Sequence, residues 1–180
     1  ARVRNFLAFG HRHPYGRPLQ GLPGTVASIT RDDVARFWQE RVKPGSSALV
    51  FVGGVSVEEA VKLAEKHFGG WSGGAAPEVK IGPAETAPAG RIYLVDRQDA
   101  AQTVVSQFLT APAIGNPDDD ALTLADSVYG GGGFGTRLNL NLREDKGYSY
   151  GVFSNLQQYT DGGIWYSGGG VQTDKTAESV

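Results

Sequence analysis

The sequence predicts an α+β fold made of two halves across a linker. Three observations carry this: capped amphipathic helices in both halves, short apolar runs of strand composition, and a Gly, Ala and Pro stretch between them. The strands come in adjacent pairs, which argues against a doubly wound parallel sheet.

Taken in order, Thr30-Arg31-Asp32-Asp33 has the N-cap and acidic N3 spacing that satisfies orphan amide donors, and Val34, Phe37, Trp38 and Val42 recur at helical spacing. Lys43-Pro44-Gly45 ends that helix, because proline disfavours a helical conformation in the residue before it. Ala48 to Val52 then reads as a buried strand. Gly53-Gly54 turns the chain, and Ser56 with Glu59 forms a second capping box. Ala60, Val61, Ala64 and Phe68 mark its buried face before Gly69-Gly70 stops it. Ser72 to Gly90, with Pro77, Pro83 and Pro88, resists regular structure and reads as an interdomain linker.

Beyond it, Arg91 to Asp96 and Gln102 to Leu109 read as two strands joined by a polar turn. Asn116-Pro117-Asp118-Asp119 offers an N-cap, a proline at the first helical position and an acid at N3, ahead of Leu122, Leu124, Ala125, Val128 and Tyr129. Gly130 to Gly133 breaks this helix, a second covers Gly135 to Asp145, and Gly147 ends that one. Tyr148 to Gln158 and Gly162 to Val171 alternate as a hairpin around Thr160-Asp161-Gly162, and a helix begins near Thr173. The chain starts and stops inside such patterns, so it is expected to be an excised fragment whose signal or active-site residues lie elsewhere.

Composition excludes several classes. The 17 basic and 19 acidic side chains give a net charge of −2, too little to gather nucleic acid or an anionic bilayer without a local basic patch, and no such patch stands out. No apolar run approaches the roughly 18 residues that span a membrane. With no cysteine there is no disulfide, Cys-based zinc site or thiol chemistry.

Several motifs imitate known chemistry. Gly130, Gly132 and Gly135 match G-x-G-x-x-G, but a helix rather than a strand leads into them and no acid follows about 20 residues on to hold a ribose. Gly169 to Thr176 nearly matches a phosphate loop, yet Asp174 sets a carboxylate where the phosphates would lie. Gly147-Tyr148-Ser149-Tyr150-Gly151 matches G-x-S-x-G, but it enters a strand, and His11, His13 and His67 all precede it. His11 and His13 could face one side of an extended segment, but nothing nearby completes a metal's ligand set. The densest polar cluster is Arg137, Arg143, Glu144, Asp145, Lys146 and Tyr148. It is either a solvated helix end, or a place where the Arg143 fork and the Tyr148 phenol aim at a peptide carbonyl or developing oxyanion.

Three segments taken together carry a resemblance: His13-Pro14-Tyr15-Gly16-Arg17-Pro18; Phe68-Gly69-Gly70-Trp71; and Gly131 to Phe134 followed by Arg137-Leu138 and Leu142 to Gly151. They resemble the pitrilysin/insulinase family of zinc metallopeptidases, in its bacterial, processing-peptidase-like form. The resemblance implies two partial α/β sandwich domains, each an antiparallel or mixed sheet with helices packed on it. Residues 1–71 would be the later part of the first domain, 72–90 the linker and 91–180 the early part of the second. Such halves close as a clamshell on an extended peptide.

The family's zinc is held by an H-x-x-E-H helix and a downstream glutamate. This chain has no H-x-x-E-H, so it is expected to hold no metal and no catalytic residue and to be inactive alone, with zinc in the parent protein or its partner. Metal-free partner subunits of the family carry an arginine and a tyrosine that position substrate. Arg143 and Tyr148 match by resemblance; their spacing of five is shorter than in long single-chain members, and Arg137 competes for the arginine's role. Gly131, Gly132 and Gly133 resemble part of the longer glycine-rich substrate loop of the non-catalytic processing-peptidase subunit. The implied partners are an unfolded peptide and a peptidase subunit, in a homo- or heterodimer; the alternative is a structural assembly protein like the family's respiratory-complex core subunits. The resemblance favours an exported, periplasmic location.

Overall fold

A computed structural model gives the fold, described for residues 2–82 and 90–180. Contacts divide it into two units: the described residues of Ala1–Leu19 with those of Ile81–Val180, and Gln20–Lys80. Of the expected linker, residues 83–89 lie outside the described residues.

Gln20–Lys80 is helical, with α2 at Pro23–Ala27, α3 at Arg31–Arg41 and α4 at Val57–Phe68. Both expected capping boxes form. The Asp33 amide donates to Thr30 Oγ1 (3.2 Å) while the Thr30 amide donates to Asp33 Oδ2 (3.0 Å), and Ser56 with Glu59 repeats the arrangement. The apolar faces of these helices are open rather than buried: Phe37 and Trp38 are nearly two-thirds exposed and Phe68 about half. The expected strand Ala48 to Val52 is corrected. It runs without ladder bonds, since a strand exists only through a hydrogen-bonded neighbour and the described residues of this unit supply none.

The other unit is built on a three-stranded antiparallel sheet in the order β1-β3-β2, with β1 at Gln102–Ala111, β2 at Ser149–Tyr159 and β3 at Gly162–Gln172. The expected hairpin is β2–β3, closing at Tyr159 opposite Gly162. Arg91 to Asp96, also expected as a strand, joins no ladder, for the same reason as Ala48 to Val52.

Helices cover both faces of this sheet. On one, α1 (Arg2–Phe9) sets Ala8 and Phe9 against Ile164, with Tyr15, Phe108, Tyr159 and Tyr166 packed around them. Tyr15 stacks on Tyr159 at 4.1 Å, and the Arg4 guanidinium lies 3.2 Å above the Tyr166 ring. Burial, and next to it the neighbouring Tyr15, pushes the Tyr159 phenol above its ordinary value. His13 joins this cluster: its Nδ1 accepts from the Tyr15 amide (3.2 Å) and its Nε2 lies 3.0 Å from the Gly82 carbonyl oxygen.

On the opposite face lie α5 (Asp119–Asp126), continued by π-helical turns over Ser127–Gly131, and α6 (Arg137–Asn139), continued over Leu140–Asp145. The Trp165 Nε1–H donates to Asp126 Oδ1 (2.8 Å), fixing α5 to β3. Asn116 does not cap α5 as expected. Its Oδ1 accepts from the Asp118 amide (3.0 Å), a local turn that competes with the helix and moves the start to Asp119. Gly147 ends the second helical run at φ +65°, as a left-handed terminator should. Among the described residues no helix is long and apolar enough to cross a membrane.

Candidate functional site

The site forms where the glycine run, the end of the second helical run and the start of β2 meet. The glycines are there for backbone reasons. A Cβ on Gly130 would lie 2.5 Å from the Ser154 amide nitrogen, so only glycine lets this turn rest on β2. Cβ atoms on Gly131 and Gly132 would collide with Asp126 Oδ2 and the Ser127 carbonyl. Gly133 is the turning point, at φ +95° with open space around it.

Its carbonyl accepts from Thr136 Oγ1 and from Asn139 Nδ2, both at 3.0 Å. Asn139 is fully buried, and its Oδ1 accepts from the Val152 amide (2.9 Å). One side chain therefore ties the glycine turn to β2 and holds Phe134, the next residue, in place. Sequence reading passed over Asn139; its signal is a carboxamide between Leu138 and Leu140 on a helix that has to pack.

Arg143 lies over the Phe134 ring at 3.9 Å and faces the Tyr150 ring at 5.0 Å. Its Nε pairs with Glu144 Oε1 at 3.2 Å, while Nη1 is buried with no hydrogen-bond partner. That nitrogen is an unsatisfied donor held by the two rings, while 29% of the side chain stays open to an incoming group.

Tyr148 stands elsewhere. Its amide closes the helix end on the Leu142 carbonyl (2.8 Å), and its ring lies 5.7 Å from Lys175 Nζ. A bulge separates it from Tyr150: Ser149 pairs with Val171 and Gly151 with Gly170, leaving Tyr150 as the extra residue. Ser149 staples that bulge, its Oγ donating to the Gly170 carbonyl (2.6 Å) and accepting from the Gly151 amide (3.1 Å). The serine of the G-x-S-x-G match is thereby committed to backbone bonds. Arg137 is exposed and lines depressions beside Tyr129 that do not include Arg143. The structure thus brings together Arg143, Phe134 at the end of the glycine turn, and Tyr150, and leaves Tyr148 and Arg137 apart.

No group of three or more His, Cys, Asp or Glu able to hold a metal exists among the described residues. His13 is engaged with the Tyr15 amide and Gly82, and His67 lies in α4 of the other unit. The described residues do not fit a zinc ion.

Residues 28–180 match the family described as the peptidase M16 inactive domain. The chain belongs to the M16, or pitrilysin/insulinase, family. It is 34% identical over 164 residues to an uncharacterized zinc protease of Mycobacterium tuberculosis, covering 88% of this chain and 36% of that protein. The crystal structure of a peptidase M16 inactive domain from Pseudomonas fluorescens superposes with a TM-score of 0.81 at 25% identity, covering 98% of this chain and 42% of that one. Over 69 residues, 34% of this chain and 15% of the relative, it is 39% identical to the mitochondrial-processing peptidase subunit beta of Lentinula edodes. This M16 chain therefore spans little more than a third of the mycobacterial relative's length, and its α+β fold is that of the family's inactive domain.

Proposed function

We propose that this chain is the substrate-holding, non-catalytic portion of an M16 zinc metallopeptidase or of its metal-free partner subunit, gripping an extended peptide between homologous halves of the parent. The observation that carries this is the Arg143 guanidinium, clamped between Phe134 and Tyr150 with Nη1 buried and unpaired. The Arg143 side chain keeps 29% of its surface open, so a peptide carbonyl can meet the guanidinium there, and the Tyr150 phenol beside it can donate to the same strand of peptide. Glu144 already offsets part of the charge, which suits a neutral carbonyl better than a full anion.

The test is peptide turnover by the full-length protein together with its zinc-bearing subunit. A hydrogen bond from a charged donor is worth about 1.5–3 kcal/mol, so Arg143→Ala should lower kcat/KM by about 10- to 100-fold. Unchanged turnover would remove Arg143 from the role. A second reading, an assembly scaffold with no peptidase part, draws support from apolar side chains left open on the sheet unit, Val104, Leu109 and Leu124 among them. Peptide affinity in the full-length protein separates the two readings.

A further inference from the structure

We infer that His13 is a proton-sensitive latch: as a neutral imidazole it fastens the Pro14–Gly16 turn and α1 to the sheet, and a second ring proton undoes the fastening. The latch does not depend on the Arg143 site.

His13-Pro14-Tyr15-Gly16 follows α1 directly and folds into a single 3-10 turn with His13 as its N-cap. The turn is a bracket between α1 and the sheet. Gly16 is buried against the end of α1, where a Cβ would collide with the Gly10 carbonyl. Tyr15 reaches the other way and stacks on Tyr159 at the end of β2. Half-buried His13 binds these parts together: its ring stacks on Phe9 at 5.7 Å and 19°, and meets Tyr15 edge to face at 5.0 Å and 64°.

The hydrogen bonds require one state of the ring. Nδ1 accepts from the Tyr15 amide (3.2 Å), so the hydrogen of the neutral ring sits on Nε2 and is donated to the Gly82 carbonyl (3.0 Å). An imidazolium donates at both nitrogens. It can keep Gly82, but it sets an N–H against the Tyr15 N–H and leaves that amide without its acceptor.

The groups around the ring do not reward a proton there. Arg12 adjoins it, Arg17 Nη2 donates to the Arg12 carbonyl (3.2 Å), and from α1 the Arg4 guanidinium lies on the Tyr166 ring. From β2 the Tyr159 phenol, pushed up by burial, stays neutral. Among the described residues no carboxylate pairs with His13; Glu85, beyond Gly82, lies outside them. A side-chain imidazole changes charge within about pH 5–8, so the fastening is complete at the alkaline end of that range and lost toward the acid end. Release bares Ile164, Phe108 and Tyr166, which α1 and the turn cover. Phe153 lies on the same face, since Tyr166 pairs with Asn155 and Gly168 with Phe153. Acid thus lengthens the open face of the sheet.

The experiment is hydrogen exchange of the full-length protein, read by mass spectrometry as protection factors at about pH 8 and about pH 5.5, either side of imidazole titration. Loss of one hydrogen-bond acceptor of this kind corresponds to about three- to tenfold. Protection at the Tyr15 amide and at the end of α1, where the Gly10 amide donates to the Phe6 carbonyl (2.9 Å), should fall by that factor at the lower pH, while amides in the middle of β3 keep theirs. His13→Asn supplies a side-chain carbonyl that caps helical turns and takes no proton, so it should hold the protection at both pH values. His13→Ala should show the reduced protection at both. His11→Asn and Glu85→Gln should each keep the wild-type fall.

Protection that does not change with pH in the wild type overturns the latch. A fall that persists in His13→Asn overturns it too, as does one abolished by His11→Asn or Glu85→Gln, which puts the titrating group elsewhere. If His13→Ala fails to fold, the wild type and the asparagine variant still decide.

Discussion

Replacing Asn139 by leucine probes the tie on which the site hangs. Asn139 is fully buried and satisfies three groups at once, through Nδ2 to the Gly133 carbonyl and Thr136 Oγ1 and through Oδ1 from the Val152 amide. Leucine keeps its branched shape but makes none of these bonds. Gly133 keeps its bond from Thr136, so the group orphaned outright is the Val152 amide, on a residue that is itself buried. Orphaning a buried amide costs about 1–3 kcal/mol, and loss of the bonds that hold the turn adds about 1 kcal/mol. An expected loss of about 2–4 kcal/mol, at about 4 °C per kcal/mol for a unit of this size, lowers Tm by about 8–16 °C. The assay is thermal unfolding of the full-length protein by circular dichroism, paired with hydrogen exchange at the Val152 amide. The amide should lose protection more than those in the middle of β3. A melting point within about 2 °C of wild type, with Val152 still protected, would refute the assignment of Asn139 as the tie.

Other outcomes follow from the same geometry. Gly130→Ala, whose Cβ would lie 2.5 Å from the Ser154 amide nitrogen and 2.8 Å from a Leu138 methyl, should destabilise by about 1–3 kcal/mol in urea unfolding. Gly133→Ala meets open space and should cost only the strain of φ +95°, about 1–2 kcal/mol. Hydrogen bonds from the Ser56 amide and hydroxyl hold the Glu59 carboxyl below the usual range. A depressed folded value means stability that is present above the unfolded value and lost as pH falls through the folded one. In an acid titration by circular dichroism, α4 should therefore fray in the wild type, and Glu59→Gln should flatten that step. Tyr159 has the opposite sign: its raised value gives stability that is complete below the unfolded phenol's value and lost as pH rises through the folded one. Tyr159→Phe should flatten the alkaline limb of the melting curve. Metal analysis by mass spectrometry should find zinc in the full-length parent or its partner, and removing this chain's three histidines should not alter it.

What could be read from the sequence was what neighbours in sequence decide. Thr30 with Asp33 and Ser56 with Glu59 form their caps because partner and donor are three residues apart. The β2–β3 hairpin is legible for the same reason, its turn and alternation being local. Asn116 failed as a cap through a local competitor, an Asx turn that the same residues also encode. No local signal marks the helix Arg2–Phe9, because it is docked by Ile164, more than 150 residues away.

The site divides along the same line. Arg143 was legible as a fork of donors beside a glycine run, but its aromatic partner was not, because Tyr148 and Tyr150 differ only in which side of a bulge they occupy. That bulge is set by Ser149 bonding to Gly170, 21 residues on, and by the pairing that skips Tyr150. Spacing along the chain gives five residues from Arg143 to Tyr148 and seven to Tyr150, and no rule of helix or strand periodicity carries across a helix end followed by an irregular strand. The ring that meets the guanidinium is chosen by β3, so a change in β3 should be felt at Arg143. Gly169→Ala makes this concrete. Its Cβ would collide with the Gly151 carbonyl oxygen and lie 3.2 Å from the Val152 Cα, backbone of β2 next to the bulge that cannot swing aside. The expected result is weaker peptide binding of the kind that Arg143→Ala gives, measured by fluorescence anisotropy of a labelled peptide, although residue 169 touches no peptide. Binding unaltered by a folded Gly169→Ala protein would mean that Tyr150 keeps its place without the bulge.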